Sequence, residues 1–281
     1  MGRDDRKAVL ITGCSSGIGR ALARELSGRG YRCFATARRE ESVAELGAEG
    51  FEALRLDVND AGSVREAVAG VIADAGRIDM LVNNAGRSAF APIAEMPLEK
   101  VEEILATNLM GPLAMTQAVV PHMAARGRGC IVNVASIVGS VPTPFGGAYS
   151  ASKAALRTLS EVLRMEVEPF GIDVVVVEPG SIRSDVAKKS LREPERYAAG
   201  SSLYSRVAES IERRAEASQA APMETAEFAR RLADAITRPR PPRTVRIGAA
   251  MGSLLLLERL PGALRDRLLS RHFELDRLNQ K

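Results

Sequence analysis

Two histidines (His122, His272), three cysteines (Cys14, Cys33, Cys130) and no tryptophan occur in 281 residues. The histidines and cysteines lie far apart, without CxxC or HExxH spacing, so neither a metal site nor a Cys–His nucleophile is expected. Three cysteines with no staple pattern suit a reducing cytoplasm. Aromatics make up 4% of the chain, too few to support base stacking, and nucleic acid is not an expected partner. No apolar run approaches the ~20 residues of a membrane span. The charged stretch 3–7 precedes an apolar run, 8–12, too short for a secretory signal, so a cytoplasmic location is expected.

The composition that remains, 46% hydrophobic and 26% charged, is ample for one large α/β domain. The formal charge is +4, unevenly placed. Residues 183–281 hold 20 Lys and Arg against 13 Asp and Glu, a net +7, and leave −3 for residues 1–182. Solvated helix faces are the plain explanation; an anionic ligand or a membrane surface is the sharper one.

Short apolar or β-branched runs at 8–12, 33–37, 53–56, 80–83, 130–134, 174–177 and 244–247 read as strands. Segments of helical period at 20–28, 63–75, 99–125, 151–168 and 225–236 separate them. Several strands are apolar at consecutive positions, as parallel strands covered on both faces should be. The alternation predicts right-handed βαβ crossovers and one α/β doubly wound parallel sheet covered by helices on both faces.

Three patterns carry chemistry. The first is an apolar strand running into Gly13, Cys14, Ser15, Ser16, Gly17, Ile18 and Gly19, then a helix. Such a turn lets a pyrophosphate approach the backbone at a helix N-terminus, where free N–H groups attract it. The second lies at the end of the next strand. An acidic residue there would hold a ribose 2′-hydroxyl; here stand Ala37, Arg38 and Arg39. Guanidinium groups at this place favour a 2′-phosphate, hence NADP(H), although a pair of solvated arginines at a helix start is the plain alternative. The third is Ser136 followed by Tyr149 and Lys153. Tyr149 and Lys153 are i and i+4, so on a helix they share a face. An ammonium group beside a phenol lowers the phenol's pKa, and a serine hydroxyl can bond a carbonyl oxygen where negative charge develops.

Taken in order, Thr12-Gly13-x3-Gly17-x-Gly19, Asp57-Val58, Asn83-Asn84-Ala85-Gly86, Asn108, Ser136, Tyr149-x3-Lys153 and Pro179-Gly180 resemble the classical short-chain dehydrogenase/reductase family over residues 8–185. The resemblance implies a single-domain Rossmann-type fold, a doubly wound parallel sheet flanked by helices, with hydride transfer to or from a nicotinamide cofactor, a small-molecule substrate, and a homodimer or homotetramer. It implies that Tyr149 is the acid–base group and that Lys153 depresses its pKa and holds the nicotinamide ribose. It further implies that Ser136 orients the substrate oxygen and that Asn108 holds a water in a proton relay. By the same resemblance Asp57 and Val58 contact adenine, and Asn84, Ala85 and Gly86 shape the cofactor wall. Pro179, Gly180, Ile182 and Ser184 flank the nicotinamide, Ser184 standing where the family often has threonine.

The resemblance places a catalytic domain at 1–248 with a substrate lid at about 186–222, where Leu191, Tyr197, Leu203 and Tyr204 stand among charges. A helical, leucine- and arginine-rich C-terminal extension follows at 249–281, broken by Pro261 into two short pieces. Its plain reading is docking on the sheet or a subunit contact; the sharper ones are a lipophilic substrate tunnel or peripheral membrane contact. No charged pair outside the motifs demands a charged substrate, so a hydrophobic ketone, aldehyde or alcohol of steroid, retinoid or long-chain type is expected. A non-catalytic cofactor sensor or scaffold would need none of Ser136, Tyr149, Lys153 and Asn108; an epimerase or dehydratase on this scaffold would use related residues.

Overall fold

In the computed structural model, which describes residues 5–183 and 202–279, successive side chains of β1 (Ala8–Ile11) serve opposite faces of one sheet. Val9 and Ile11 join one buried cluster, Ala8 and Leu10 another, as period 2 dictates for a strand covered on both sides. The other strands are β2 (Arg32–Ala37), β3 (Glu52–Arg55), β4 (Met80–Asn83), β5 (Gly129–Val134), β6 (Ile172–Pro179) and β7 (Thr244–Ile247). Their order is β3-β2-β1-β4-β5-β6-β7 with every pairing parallel, the doubly wound arrangement expected. The winding reverses between β1 and β4. A crevice therefore opens beyond their carboxyl ends, where the loops after both strands meet.

One face is covered by α1 (Gly17–Gly28) and α2 (Glu40–Ala48), through Leu22, Leu26 and Leu46. The other carries α3 (Ala61–Ala75), whose Val64, Val68 and Val71 form its apolar stripe. Asp60 caps α3 by accepting from the Gly62 and Ser63 N–H groups at 2.7 and 3.2 Å, which sets its start two residues before the expected one. The helix expected at 99–125 is α4 (Leu98–Leu105), a π turn (Ala106–Met110) and α5 (Gly111–Ala124) run together. That turn, which no hydrophobic period announces, carries Asn108. The next helix, α6 (Gly147–Val167), begins four residues earlier than its apolar pattern indicates, so Tyr149 and Lys153 both lie within it.

Two helices escaped the sequence reading: α2, and α7 (Ala208–Glu216), which is short and rich in charge. The lid expected at 186–222 is described from Ser202 onward; Leu191, Tyr197 and Ser184 lie outside the described residues. After α8 (Thr225–Ile236), whose Phe228 and Leu232 join the α1 face, the chain enters β7 and then the extension. Pro261 separates α9 (Met251–Arg259) from α10 (Gly262–His272) as expected. Leu269 and Phe273 are buried with Met96, Ile104, Phe145 and Ile211 in a third cluster at the carboxyl end of the sheet. Ion pairs of Arg246 with Glu258 (3.4 Å) and of Arg213 with Glu274 (2.5 Å) tie the extension to β7 and α7. No helix among the described residues is long and apolar enough to cross a membrane.

All three thiols are buried, and burial pushes each up from 9.0 to about 12. A folded-state pKa above the unfolded one means that the native state keeps protons the unfolded chain releases. Stability therefore falls as pH rises through 9 toward 12. Lys153, which burial pushes down to about 8, acts in the opposite sense over pH 8 to 10.5 and offsets part of this loss. Urea denaturation at pH 8 and pH 10 should show a net loss in the native chain that shrinks or reverses when the cysteines are replaced by alanine. An unchanged pH difference in that variant would remove the thiols as its cause.

Candidate active site

The loop after β1 is built for close approach. Gly13 has φ +74°, and a Cβ there would stand 2.8 Å from the Ala85 Cα. The Thr12 hydroxyl accepts from the Asn84 and Ala85 N–H groups, both at 3.0 Å, and Asn84 Nδ2 donates to the Thr12 and Gly13 carbonyls at 2.9 and 3.1 Å. These bonds clamp the loop after β1 to the loop after β4. Ser16 precedes α1 in extended conformation and makes no side-chain cap, so its side chain leaves the first N–H groups of that helix unbonded. Gly13, Ser15, Ser16, Gly17 and Ile18 then line one wall of a cavity of about 1200 Å³. Arg38, Asp57, Val58, Asn84, Ala85 and Gly86 extend the wall on either side, and Pro179, Gly180 and Ile182 close it at the end of β6.

Further along the same cavity stand Ser136, Tyr149 and Lys153. Ser136 sits just past β5, and its side chain accepts from the Val138 N–H at 3.4 Å. Burial pushes the Tyr149 phenol above its ordinary range, while the nearby Ser136 hydroxyl and the Arg214 cation pull it back. Lys153 is buried, with its Nζ donating to the Val134 carbonyl at 2.7 Å and lying 5.8 Å from the Tyr149 ring centre. The Arg214 cation also acts on the phenol, while Lys153, assigned that part by resemblance, gives its one hydrogen bond to the strand end. Asn108 is fully buried and does not line the cavity. Its Oδ1 accepts from the Arg87 N–H at 2.8 Å; its Nδ2 donates to the Arg87 carbonyl and to Ser152 Oγ, both at 2.9 Å. Ser152 in turn donates to the Tyr149 carbonyl at 2.7 Å, so Asn108 fastens the start of α6 to the loop after β4.

Beyond Tyr149 the cavity widens into a chamber. Ala89, Phe90, Ala91, Met96 and Ile104 line one side; Leu254, Leu257, Leu268, Leu269 and Phe273 of the extension line another. Charged residues line the cavity as well, among them Arg87, Lys100 and Glu103, and one more was not disclosed by the sequence. Arg214, embedded in the charge-rich run of α7, is buried at its edge. Phe145, just before α6, adopts φ +64°, unusual for an aromatic residue, and is held by edge-to-face packing on Tyr204 and Phe273.

Most of the residues singled out from sequence are brought together, with three exceptions. Arg39 is exposed at the start of α2 and does not line the cavity. Gly19 does not line it either: a Cβ there would stand 2.5 Å from Asn84 Nδ2 and 2.6 Å from the Gly13 carbonyl, so this glycine serves helix–loop packing. Asn108, as described, is the third. Thr12, Ser152 and Arg214 are the additions. Thr12 stands in the motif and was signalled; the other two sit in ordinary helical runs.

The parallel sheet with its reversal point places the glycine loop and the Ser136–Tyr149–Lys153 set along one crevice of a Rossmann-type fold. The chain matches the short chain dehydrogenase family over residues 7–195 and belongs to it. It is 41% identical over 187 residues to the NADPH-dependent 1-acyldihydroxyacetone phosphate reductase of Schizosaccharomyces pombe, covering 66% of this chain and 63% of that one. Over 177 residues it is 39% identical to the 3-ketodihydrosphingosine reductase of Bacteroides thetaiotaomicron, covering 63% and 64%. These matches span just under two thirds of either relative. A solved short-chain dehydrogenase from Streptomyces avermitilis superposes with TM-score 0.78 at 32% identity, over 99% of this chain and 100% of that one.

Proposed function

We propose that the chain is an NADP(H)-dependent oxidoreductase that interconverts a ketone or aldehyde with an alcohol on a substrate with a large apolar body. The observation that carries this reading is one continuous cavity, with the glycine loop and Arg38 at one end, Ser136, Tyr149 and Lys153 in the middle, and an apolar chamber at the other. The groove suits a nicotinamide dinucleotide: the loop admits a pyrophosphate, and Arg38 rather than an acid stands at the end of β2. The S. pombe relative is named as NADPH-dependent, which supports the phosphorylated cofactor.

In this reading the bound cofactor supplies or accepts the hydride. Ser136 donates a hydrogen bond to the substrate oxygen and holds it beside Tyr149. During reduction Tyr149 delivers its proton to that oxygen, and it takes the proton back in oxidation. Lys153 leaves the Val134 carbonyl to hold the nicotinamide ribose hydroxyls, and with Arg214 it favours the phenolate. Asn108 positions α6, and through it Tyr149, with both of its amide N–H donors engaged. Pro179, Gly180 and Ile182 flank the nicotinamide. The part of the lid described from Ser202 onward and the extension from 249 close the substrate end.

Oxidation of NADPH with ketones of rising alkyl length or ring number tests the reading. Burial at ~25 cal/mol per Å² should raise kcat/KM with apolar size until the chamber is full. Faster turnover of small sugars would overturn the apolar-substrate part.

A further inference from the structure

Arg214 is a buried charge whose part in the reaction outlined above, favouring the Tyr149 phenolate, leaves most of its hydrogen-bonding fork unused. Its residue is 7% exposed. Nε donates to Thr143 Oγ1 at 2.8 Å, and the guanidinium carbon lies 4.6 Å from the Phe90 ring centre. No carboxylate pairs with it among the described residues, and the Thr143 bond is its only hydrogen bond there. Arg213, one residue earlier, is exposed and reaches both Glu209 and Glu274. Burial pushes Arg214 down to about 10, so it remains charged at neutral pH. A buried guanidinium without a counter-charge is costly, and an aromatic face compensates only part of the loss. Its planar fork suits a carboxylate or phosphate held by two parallel bonds. The cavity beside Tyr149 is the open space that Arg214 lines.

We propose that Arg214 binds an anionic oxygen group, carboxylate or phosphate, that the substrate carries near its reacting carbonyl. The preferred substrates are then amphiphilic, with an anionic head at Arg214 and an apolar chain along Leu254, Leu257 and Phe273. This rests on the carbonyl-reduction reading and sharpens its substrate class. It also limits the sequence-based expectation of a wholly apolar substrate, because α7 buries a guanidinium at the cavity.

The test compares kcat/KM with NADPH for a long-chain keto acid against its methyl ester, and for a long-chain hydroxyketone against its phosphate ester. The wild-type chain should favour the anionic member of one pair by roughly 10- to 150-fold, the range for charge-assisted hydrogen bonds, and the pair with the larger ratio identifies the head group. Arg214→Gln should bring that ratio close to one, and Arg214→Lys should keep part of it. A mere electrical effect of Arg214 on Tyr149 would move both members of a pair together and leave the ratio intact. Wild-type ratios at or below one, which need no variant to fold, or a ratio that survives in Arg214→Gln, would overturn the proposal. Calorimetry with decyl phosphate and saturating NADP+ separates it from the redox reading. If no ketone is reduced but decyl phosphate binds wild type and not Arg214→Gln, the anchor stands and the redox reading falls. Equal binding by both proteins removes the anchor whatever the turnover.

Discussion

Tyr149→Phe is expected to lower turnover at least ~100-fold while NADPH still binds. The phenol hydroxyl is the only atom the substitution removes, and in the proposed reaction it is the proton donor. The adenine, pyrophosphate and ribose ends of the groove rest on other residues, with the glycine loop, Arg38 and Asp57 far along the cavity wall. The buried ring keeps its packing, and Ser136 retains an acceptor role toward the Val138 N–H at 3.4 Å. The loss should therefore appear in kcat, with NADPH affinity, read by fluorescence titration, close to that of the native protein. A variant that turned over at near-native rate would dismiss Tyr149 as the acid–base group. A variant that lost NADPH affinity in parallel would recast it as a binding residue.

Much of this arrangement is legible in the chain because it is local or periodic. The strands announce themselves by consecutive apolar residues, and β4 and β7 fall on the residues expected for them. The glycine loop and the Tyr149–Lys153 spacing are also local, fixed by a turn and by one helical repeat. What stayed hidden depends on three-dimensional closure. Nothing in the run around Arg214 separates it from Arg213, yet one is buried beside Tyr149 and the other pairs with Glu274 in the open. Their difference is 100° of helix rotation against a surface supplied by Phe90 and Thr143, more than 70 residues earlier. The π turn at Asn108 is hidden for a related reason: one extra residue in a helical turn leaves hydrophobic spacing almost unchanged. The part of the extension in reach of the substrate also follows from packing, since Leu269 and Phe273 find their cluster on residues of the α4–α6 region.

The same distinction decides cofactor choice, where the sequence offered two arginines and the fold brings one to the cavity. Arg38 follows directly on β2 and lines the groove; Arg39 begins the next turn, exposed and outside it. Replacing Arg38 with alanine should weaken NADPH by roughly 10- to 150-fold, the worth of a charge-assisted bond of ~1.5–3 kcal/mol, and leave NADH almost unaffected. Arg38→Glu should go further and turn the preference toward NADH, because a carboxylate at this place repels a 2′-phosphate and can accept from a 2′-hydroxyl. Arg39→Ala should change neither affinity by more than a surface charge does at moderate salt. Raising the ionic strength should weaken NADPH in the native protein and leave the Arg38→Ala variant less sensitive, since the charge being screened is gone. Equal NADH and NADPH affinities in the native chain would overturn the assignment of Arg38. A loss of NADPH confined to Arg39→Ala would mean that the second arginine swings in from α2 when the phosphate arrives.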